Sequence, residues 1–259
     1  MLRKIVSVCL ISVFAVFSLS AQESLKILSY NIHHGNPPSL EAGQIDLPAI
    51  AKVINESGAD IIGLQEVDVN VTRSGNVDQI KELADMTQTE YFFAKGIDLQ
   101  GGEYGVAVLS KLPIKETESF LLPMPKSGEQ RVMAAVHVQT AEGTDVIFMA
   151  THLDLYEENR IEQAGFIKEY AENNKDKAVI LTGDLNDRPD SKVIQIFDEV
   201  FTRSQIEEGY TFPEVNPNRE IDYIMINDAV KAEVKDHVIM DEEYASDHRP
   251  LFVEYSLGK

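Results

Sequence analysis

The sequence predicts an α/β protein in which two packed β-sheets carry helices on their outer faces. About ten short apolar or alternating runs have the pattern of strands, whereas only four stretches have apolar residues at helical spacing. No linker, repeat or low-complexity segment divides the chain. Four helices are too few for a doubly wound parallel sheet, so two mixed sheets packed face to face are the better interpretation.

The first 21 residues have the pattern of a secretory signal peptide. Arg3 and Lys4 give a positive start, an almost wholly apolar stretch runs from Ile5 to Leu19, and cleavage is expected after Ser20 or Ala21. The apolar stretch is shorter than the roughly 18 residues of a membrane span, and no later segment is apolar enough for one. We therefore expect an exported protein, either periplasmic or secreted.

Composition favours a single acidic domain over residues 22–259. The one cysteine lies in the signal stretch, so the mature chain has neither a disulfide nor a thiol nucleophile. Without the first 21 residues, 21 Lys and Arg face 43 Asp and Glu, a formal charge of −22. This charge argues against long-range attraction to nucleic acid or an anionic membrane, so no stable nucleic-acid binding is expected. We expect a monomer.

The predicted elements begin with alternating strands and helices. Asp46 is a suitable N-cap and Gly58 a suitable stop for the first helix. The elements of this half are strand Leu25–Asn31, helix Leu47–Asn55, strand Asp60–Gln65 and helix Asn76–Met86. Strands dominate the second half, at Gly105–Leu109, Val132–Val138, Val146–Thr151, Ala178–Thr182, Ile221–Ile226, Ala232–Ile239 and Leu251–Tyr255, with helices at Leu155–Asn173 and Val193–Phe197.

Five polar clusters stand at the ends of these strand-like runs, where side chains emerge at the rim of a sheet. They are Asn31, Gln65-Glu66, Thr151–Asp154, Gly183–Asp187 and Ser246–Pro250. A fold built only for stability has no use for acids, amides and imidazoles there. Together they indicate a metal-assisted hydrolase.

Glu66 is the leading candidate for a metal ligand, because it comes directly after an apolar strand. Asn31 ends the neighbouring strand and could add a carbonyl oxygen or orient a metal-bound water. Mg²⁺ prefers hard oxygen ligands and is often held by one or two carboxylates plus substrate phosphate, and Mn²⁺ is the alternative. Taken alone, Glu66 would be interpreted as an exposed strand-end carboxylate.

Asp184 and Asn186 follow a buried strand, and their two-residue spacing places them on the same side of an extended chain. A carboxylate and an amide so placed can hold one water between them. An Asx-type turn is the alternative, and it explains Asn186-Asp187 better than it explains Asp184.

Two histidines, His152 and His248, have an acid nearby, and imidazole suits proton transfer or stabilisation of phosphoryl charge. Asp222 lies in an apolar run, where a carboxylate is costly without a partner, and we assign it to His248. We interpret His137 and His237 as structural. Arginines can clamp phosphate or pair with acids. The structural interpretation is favoured for Arg160, whereas Arg73 and Arg131 stay open.

Taken in order along the chain, these residues resemble the endonuclease/exonuclease/phosphatase (DNase I-like) superfamily. The resemblance rests on Asn31, Gln65-Glu66, Tyr104-Gly105, Thr151-His152, Gly183–Asn186, Asp222 and Ser246–His248, and it spans nearly the whole domain. That superfamily includes DNase I-like nucleases, apurinic endonucleases, inositol polyphosphate 5-phosphatases and neutral sphingomyelinases. The segments Glu66–Gly75 and Gly101–Gly105 look most like a bacterial exported branch.

The resemblance implies a four-layer α/β sandwich and Mg²⁺-dependent hydrolysis of phosphoester bonds. It implies that Glu66 binds the metal, with Asn31 and Asp247 nearby. The chain departs from the family pattern at one position near the metal ligands. Some nuclease branches have an acid two residues after the strand-end Asn, where this chain has His33.

The resemblance also implies six catalytic residues, namely His152, Asp184, Asn186, Asp222, His248 and Tyr104. Asp184 and Asn186 would position the attacking water or the metal. Asp222 would orient His248, which acts as a base or stabilises the scissile phosphate. His152 would add a second charge-stabilising contact, and Tyr104 would contact a phosphate oxygen.

The sequence therefore predicts a metal-dependent phosphodiesterase or phosphatase that acts outside the cytoplasm by in-line attack of an activated water. Its substrate would be a phosphorylated small molecule, a lipid or a nucleic acid. A secreted DNase I-like nuclease, a sphingomyelinase-like lipid phosphodiesterase and a catalytically inactive phospholigand-binding protein are the alternatives. Loops at Gly35–Gly43, Lys95–Glu103 and Glu207–Asn218 are predicted to lie over the site and to set specificity.

Overall fold

The computed structural model describes residues 23–205 and 209–258. The predicted signal peptide, and part of the predicted 207–218 loop, lie outside these residues. The strands are β1 Glu23–Asn31, β2 Ile61–Val69, β3 Glu90–Leu99, β4 Gly102–Ser110, β5 Ile114–Leu121, β6 Val132–Gln139, β7 Asp145–His152, β8 Ala178–Asp184, β9 Thr202–Arg203, β10 Asp222–Ile226, β11 Lys231–Ile239 and β12 Leu251–Gly258. The helices are α1 Leu47–Ser57, α2 Gln79–Thr87, α3 Glu157–Asn173 and α4 Lys192–Asp198, and none of these described helices could cross a bilayer.

The strands form two mixed sheets of six. One has the order β11-β12-β1-β2-β4-β3 and the other the order β5-β6-β7-β8-β10-β9. Each sheet has a parallel pair near its centre, β1 with β2 and β7 with β8, and these pairs are connected through α1 and α3. Ligands in open α/β sheets bind outside the carboxyl ends of such parallel strands.

Three separate apolar cores divide the molecule into four layers. The central core lies between the two sheets and contains residues such as Ile27, Phe148 and Ile180. A second core packs α1 and α2 against the first sheet, and a third packs α3 and α4 against the second sheet. The prediction of two packed sheets with helices outside them, a DNase I-like sandwich, is confirmed.

Every predicted helix and strand is present, with shifted ends. Helix α1 has the predicted cap, because the Asp46 side chain accepts from Ala49 N at 3.1 Å, and it stops at Gly58, which is left-handed with φ 65°. Helix α2 begins three residues later than predicted. Asn76 has φ 58°, which a helix does not allow, and Asp78 provides the cap instead.

Strands β3, β5 and β9 were not predicted. Strand β5 is an edge strand with exposed Lys115, Glu116 and Thr117, so it has no apolar run to identify it. The prediction of a loop at Lys95–Glu103 is wrong, because this segment is the hairpin that joins β3 and β4.

On the inner face of the central strands, apolar side chains of the core are followed by polar side chains at the carboxyl ends of the strands, which form a polar rim. Side chains four residues apart lie on the same face of a strand. The pairs that share this face are Ile27 and Asn31 in β1, Phe148 and His152 in β7, and Ile180 and Asp184 in β8. The three polar members therefore enter one space between the sheets.

Gly63 of β2 allows the two sheets to approach closely just below this rim. A Cβ at Gly63 would lie 2.3 Å from Thr182 Oγ1 of β8 and 3.3 Å from Ala150 Cβ of β7. No side chain larger than hydrogen fits there without movement. The close approach brings the polar ends of β1 and β2 within hydrogen-bonding distance of the end of β8.

Candidate active site

Asn31 connects the two sheets at the polar rim. Its Nδ2 donates to Glu66 Oε1 at 3.2 Å and to Asp184 Oδ2 at 3.1 Å. Its Oδ1 accepts from the backbone of His33 at 3.0 Å, which fixes the amide in this orientation. The side chain is fully buried. It therefore holds two carboxylates from different sheets near one another.

Glu66 reaches the rim because strand β2 contains a β-bulge. The register between β2 and β4 shifts between Leu64 and Val67, and Glu66 has a left-handed backbone with φ 59°. Bulges redirect side chains next to functional sites, and a left-handed non-glycine residue is a strained conformation that marks such sites. The carboxylate is consequently turned toward Asn31.

The Glu66 carboxylate stays ionised in this environment. Burial alone would raise its pKa, but His34, His152 and Asn31 lower the pKa well below its ordinary value. His34 Nδ1 lies 3.6 Å from Glu66 Oε2 and has no hydrogen-bond partner among the described residues. An ionised carboxylate with one side open to the rim is a suitable ligand for a hard cation.

Asp222 and His248 form the pair that the sequence predicts. His248 Nδ1 lies 2.8 Å from Asp222 Oδ2, and both side chains are buried. Burial lowers the pKa of His248, but the charge and hydrogen bond of Asp222, with Asp184 and Asp247, raise it to about 10. His248 is therefore an imidazolium with a fixed orientation, since Asp222 holds the ring from one side.

Two residues of the hairpin before β10 complete this pair. The Thr211 hydroxyl donates to Asp222 Oδ2, and the Phe212 ring lies 4.8 Å from the His248 ring, centroid to centroid. The other oxygen of Asp222, Oδ1, is buried with no partner among the described residues. The orientation of His248 thus depends on a loop as well as on its acid.

Asp184 lies at the centre of the cluster. Its Oδ2 is 3.4 Å from His152 Nε2 and 3.6 Å from His248 Nε2, in addition to the bond from Asn31. Burial and the charge of Asp222 raise the pKa of Asp184, and His248 opposes this rise. Burial, and then Arg131, lower the pKa of His152 to about 3, so this imidazole is neutral at neutral pH.

Asn186 is held next to Asp184 by a tight turn and not by strand alternation. Strand β8 ends at Asp184, and Asn186 is left-handed with φ 51°. Its backbone N donates to Asp184 Oδ1 at 2.9 Å, which is an Asx-type turn, and its Nδ2 donates to Leu153 O at 3.0 Å. Its Oδ1 accepts no hydrogen bond in the described part of the chain and can meet a water or a cation.

Tyr104, His152 and Arg131 line one small cavity beside the cluster. Arg131 pairs through Nη1 with Glu129 at 2.8 Å, but its buried Nε has no partner within residues 23–205 or 209–258. Arg73 lies 5.1 Å from the Tyr104 ring and pairs with buried Asp68 through two bonds of 2.9 Å. Arg131 is thus directed toward the predicted phosphate contacts, whereas Arg73 is largely engaged by Asp68.

Asp247 lies at the margin of the cluster. It is half-buried, its Oδ1 is 3.4 Å from Ser246 Oγ, and its charge raises the pKa of the adjacent His248. The same Ser246 hydroxyl donates to Asn31 O at 2.7 Å and so links Asp247 to the Asn31 backbone, whereas none of the described contacts joins Asp247 to Glu66. Arg160, predicted to be structural, pairs with Asp187 at 2.9 Å and so holds the loop that follows Asp184.

Four residues that contribute to this geometry were not selected from the sequence. They are His34, Arg131, Thr211 and Phe212, of which Arg131 had been left open. Arg131 directly precedes an apolar strand, and this position could have suggested a role in the site only when it was considered together with the other strand-end residues. Thr211 and Phe212 carry no local signal, because only the folded hairpin brings them to Asp222 and His248.

The donors present suit a divalent cation. Glu66 offers a hard carboxylate oxygen at the rim, and Asn186 offers a free amide oxygen. Asp184, Asp222 and His248 also place ligand atoms within 4.8 Å of one another, all of them buried. Hard oxygen donors match the preferences of Mg²⁺ or Mn²⁺ better than those of a thiol-selecting metal, whereas His248 does not act as a ligand while it is an imidazolium.

The fold and the rim cluster together define a DNase I-like α/β sandwich. The sequence model of the Endonuclease/Exonuclease/phosphatase family matches residues 28–248. The chain belongs to this family, and the predicted resemblance is confirmed.

Individual relatives are distant. The uncharacterised protein YbhP of Escherichia coli (strain K12) is 27% identical over 249 residues, which cover 91% of this chain and 98% of YbhP. An endonuclease/exonuclease/phosphatase from Beutenbergia cavernae is 22% identical with a TM-score of 0.79, covering 91% of this chain and 72% of that one. The mannosyl-6-phosphatase Bt3783 of Bacteroides thetaiotaomicron is 22% identical with a TM-score of 0.74, covering 89% and 99%. These similarities to solved structures concern the fold.

Proposed function

We propose that this protein is a metal-dependent hydrolase of phosphoester bonds that acts outside the cytoplasm. The observation that carries the proposal is the convergence of Glu66, Asp184 and His248 at one rim, through Asn31 and through the 3.6 Å approach of His248 Nε2 to Asp184. Membership of the family supports the reaction class. The mannosyl-6-phosphatase among the structural neighbours supports a phosphate monoester as one candidate substrate.

The side chains of the site divide into two groups, one that binds the phosphoryl oxygens and one that positions the attacking water. His248, as an imidazolium fixed by Asp222, offers a positive hydrogen-bond donor to the phosphoryl oxygens. Neutral His152 and the free Nε of Arg131 add two more donors from the side of Tyr104. Charge that develops on the phosphoryl oxygens would therefore meet donors that are already in place.

Asp184 and Asn186 form the second group and position the attacking water. The Asx-type turn holds Asp184 Oδ1 2.9 Å from the Asn186 backbone N, and the free Oδ1 of Asn186 lies on the same turn. Two fixed acceptors can orient one water for in-line attack on phosphorus. A bound Mg²⁺ or Mn²⁺ would supply Lewis-acid neutralisation of the phosphate charge. Glu66 and Asn31 would hold it, and Asp247 would contribute from the margin of the cluster.

The test is hydrolysis of bis(p-nitrophenyl) phosphate and p-nitrophenyl phosphate with Mg²⁺ or Mn²⁺. Asp184→Asn and His248→Ala should each lower kcat by roughly 10²–10⁴-fold, the contribution of a positioned acid–base or charge-stabilising group. Glu66→Gln should raise the metal concentration needed for half-maximal rate, and chelation should stop the reaction.

Matched controls lie outside the cluster. His137 pairs with Glu118 on the outer strands, and Asp145 is an exposed strand residue, so His137→Gln and Asp145→Asn should retain the wild-type rate. Near-normal turnover in both Asp184→Asn and His248→Ala would refute the proposed function. So would equal rates with and without chelator.

Action outside the cytoplasm rests on the signal-peptide pattern of residues 1–21. Expression of the full chain in a bacterial host, followed by fractionation and N-terminal sequencing, tests it. A mature chain that starts at Ala21 or Gln22 in the exported fraction is expected. An intact N-terminus in the cytoplasm would contradict export and leave the chemistry of the site untouched.

A further inference from the structure

Among the described residues, two arginines have no acidic partner. The described part of the chain contains seven arginines, and Arg188 and Arg219 alone among these form no salt bridge. The other five pair with Asp or Glu at 2.6–3.0 Å; they are Arg73, Arg131, Arg160, Arg203 and Arg249. In a chain with 43 acids and 23 bases, two unpaired guanidinium groups are the exception.

Arg188 and Arg219 line the same cavity. It has a volume of about 320 Å³, and Tyr210 and Asn218 also line it. Ligand pockets have volumes of roughly 300–1,000 Å³ and combine an apolar or aromatic wall with a few polar groups. The cavity therefore has the size of a small-molecule subsite, and its lining is mostly polar, with Tyr210 as the aromatic member.

The cavity is connected to the catalytic cluster through the loop after Asp184 and through the Phe212 ring. Arg188 comes two residues after Asn186, on the loop that leaves Asp184. The Arg219 guanidinium lies 4.3 Å from the centroid of the Phe212 ring, and the other contact of that ring is His248, at 4.8 Å. Residues Phe212 and Arg219 also exchange backbone hydrogen bonds of 3.0 and 3.1 Å. The Phe212 ring thus contacts both His248 and one guanidinium of the cavity.

Two acids share the lining, so charge alone does not identify the ligand. Glu220 is buried and accepts from Gly209 N at 2.8 Å, and Asp190 is exposed. Neither carboxylate lies within salt-bridge distance of Arg188 or Arg219. Both guanidinium groups are therefore available to an external acceptor. The Arg219 guanidinium also lies over the Phe212 ring, 4.3 Å from its centroid, and a guanidinium can bind an oxyanion through two N–H groups.

We infer that this cavity is an anion subsite for the part of the substrate that extends beyond the reacting phosphorus. The preferred substrate class is a phosphoester that carries a second anionic group, a phosphate or a carboxylate, which Arg188 and Arg219 bind. This inference rests on the proposed function, because it takes the reacting phosphate to lie at His248.

The test compares ligands that differ only in the second anion. Binding of hexane-1,6-diol bisphosphate, 6-phosphooxyhexanoate and hexyl phosphate is measured by calorimetry with Mg²⁺ in the Asp184→Asn background, which suppresses turnover. Arg188→Gln/Arg219→Gln is the test variant. Arg203→Gln is the matched control, because Arg203 pairs with Asp198 away from the cavity.

We expect at least one dianionic ligand to bind about tenfold or more tightly than hexyl phosphate, as a charge-assisted bidentate contact provides. This preference should fall to about twofold or less in the double variant and persist in Arg203→Gln. The bisphosphate and carboxylate arms show which second anion is preferred. A preference retained by the double variant, or no preference at all, would overturn the subsite.

The proposed function is judged on its own by wild-type turnover of bis(p-nitrophenyl) phosphate, which lacks a second anion. A binding preference without any turnover would reject the hydrolase and retain the anion site. Turnover without a binding preference would reject the anion site and retain the hydrolase.

Discussion

The Thr211 hydroxyl is expected to stabilise the protein through its bond to Asp222. Thr211→Val removes this hydroxyl at a fully buried position and keeps the shape of the side chain. Asp222 would then retain a single described donor, His248 at 2.8 Å, because its Oδ1 already has no partner among the described residues. A hydrogen bond to a buried charged group is worth about 1.5–3 kcal/mol.

Urea unfolding should therefore show a loss of about 1.5–3 kcal/mol in the free energy of unfolding of Thr211→Val. For a domain of this size, the loss corresponds to a decrease in Tm of roughly 3–12 °C. Thr211→Ser keeps the hydroxyl and serves as the control. It should retain more of the stability, apart from the effect of the missing methyl group.

The same variant should lower kcat for bis(p-nitrophenyl) phosphate by roughly tenfold or more, because a small displacement of an orienting group misplaces the histidine that it holds. An unfolding midpoint for Thr211→Val equal to that of the wild type would refute the reasoning. In that case the Thr211 bond would not contribute to holding Asp222.

Two further predictions concern glycines. Gly63→Ala should destabilise the protein by about 1–3 kcal/mol in urea unfolding, because the new Cβ would meet Thr182 Oγ1 at 2.3 Å between the sheets. Adding Thr182→Ala should recover part of the loss, and purely additive losses would contradict the clash. Gly165→Ala should stabilise α3 by about 0.5–1 kcal/mol, because the position is helical, exposed and free of atoms within 4 Å of the new Cβ. A lower Tm for Gly165→Ala would count against this.

The sequence alone determined the fold class, the helices and the strand-end positions of the polar residues. Period-two alternation sets which side chains share a strand face, and caps such as Asp46 and Gly58 set helix ends, so both are local properties. The expectation that Asp222 serves His248 also came from the sequence, since a carboxylate inside an apolar run requires a partner. The two side chains lie 2.8 Å apart.

Only the tertiary structure decided how the clusters meet. The bulge that turns Glu66 toward Asn31 depends on pairing with β4, and the turn that places Asn186 beside Asp184 replaces the predicted alternation. The hairpin that brings Phe212 to His248 has no local signal, since its ends are held by contacts distant in sequence. The types of side chains and their alternation along a strand are local properties of the sequence. Distances between strands of different sheets depend on how closely those sheets pack.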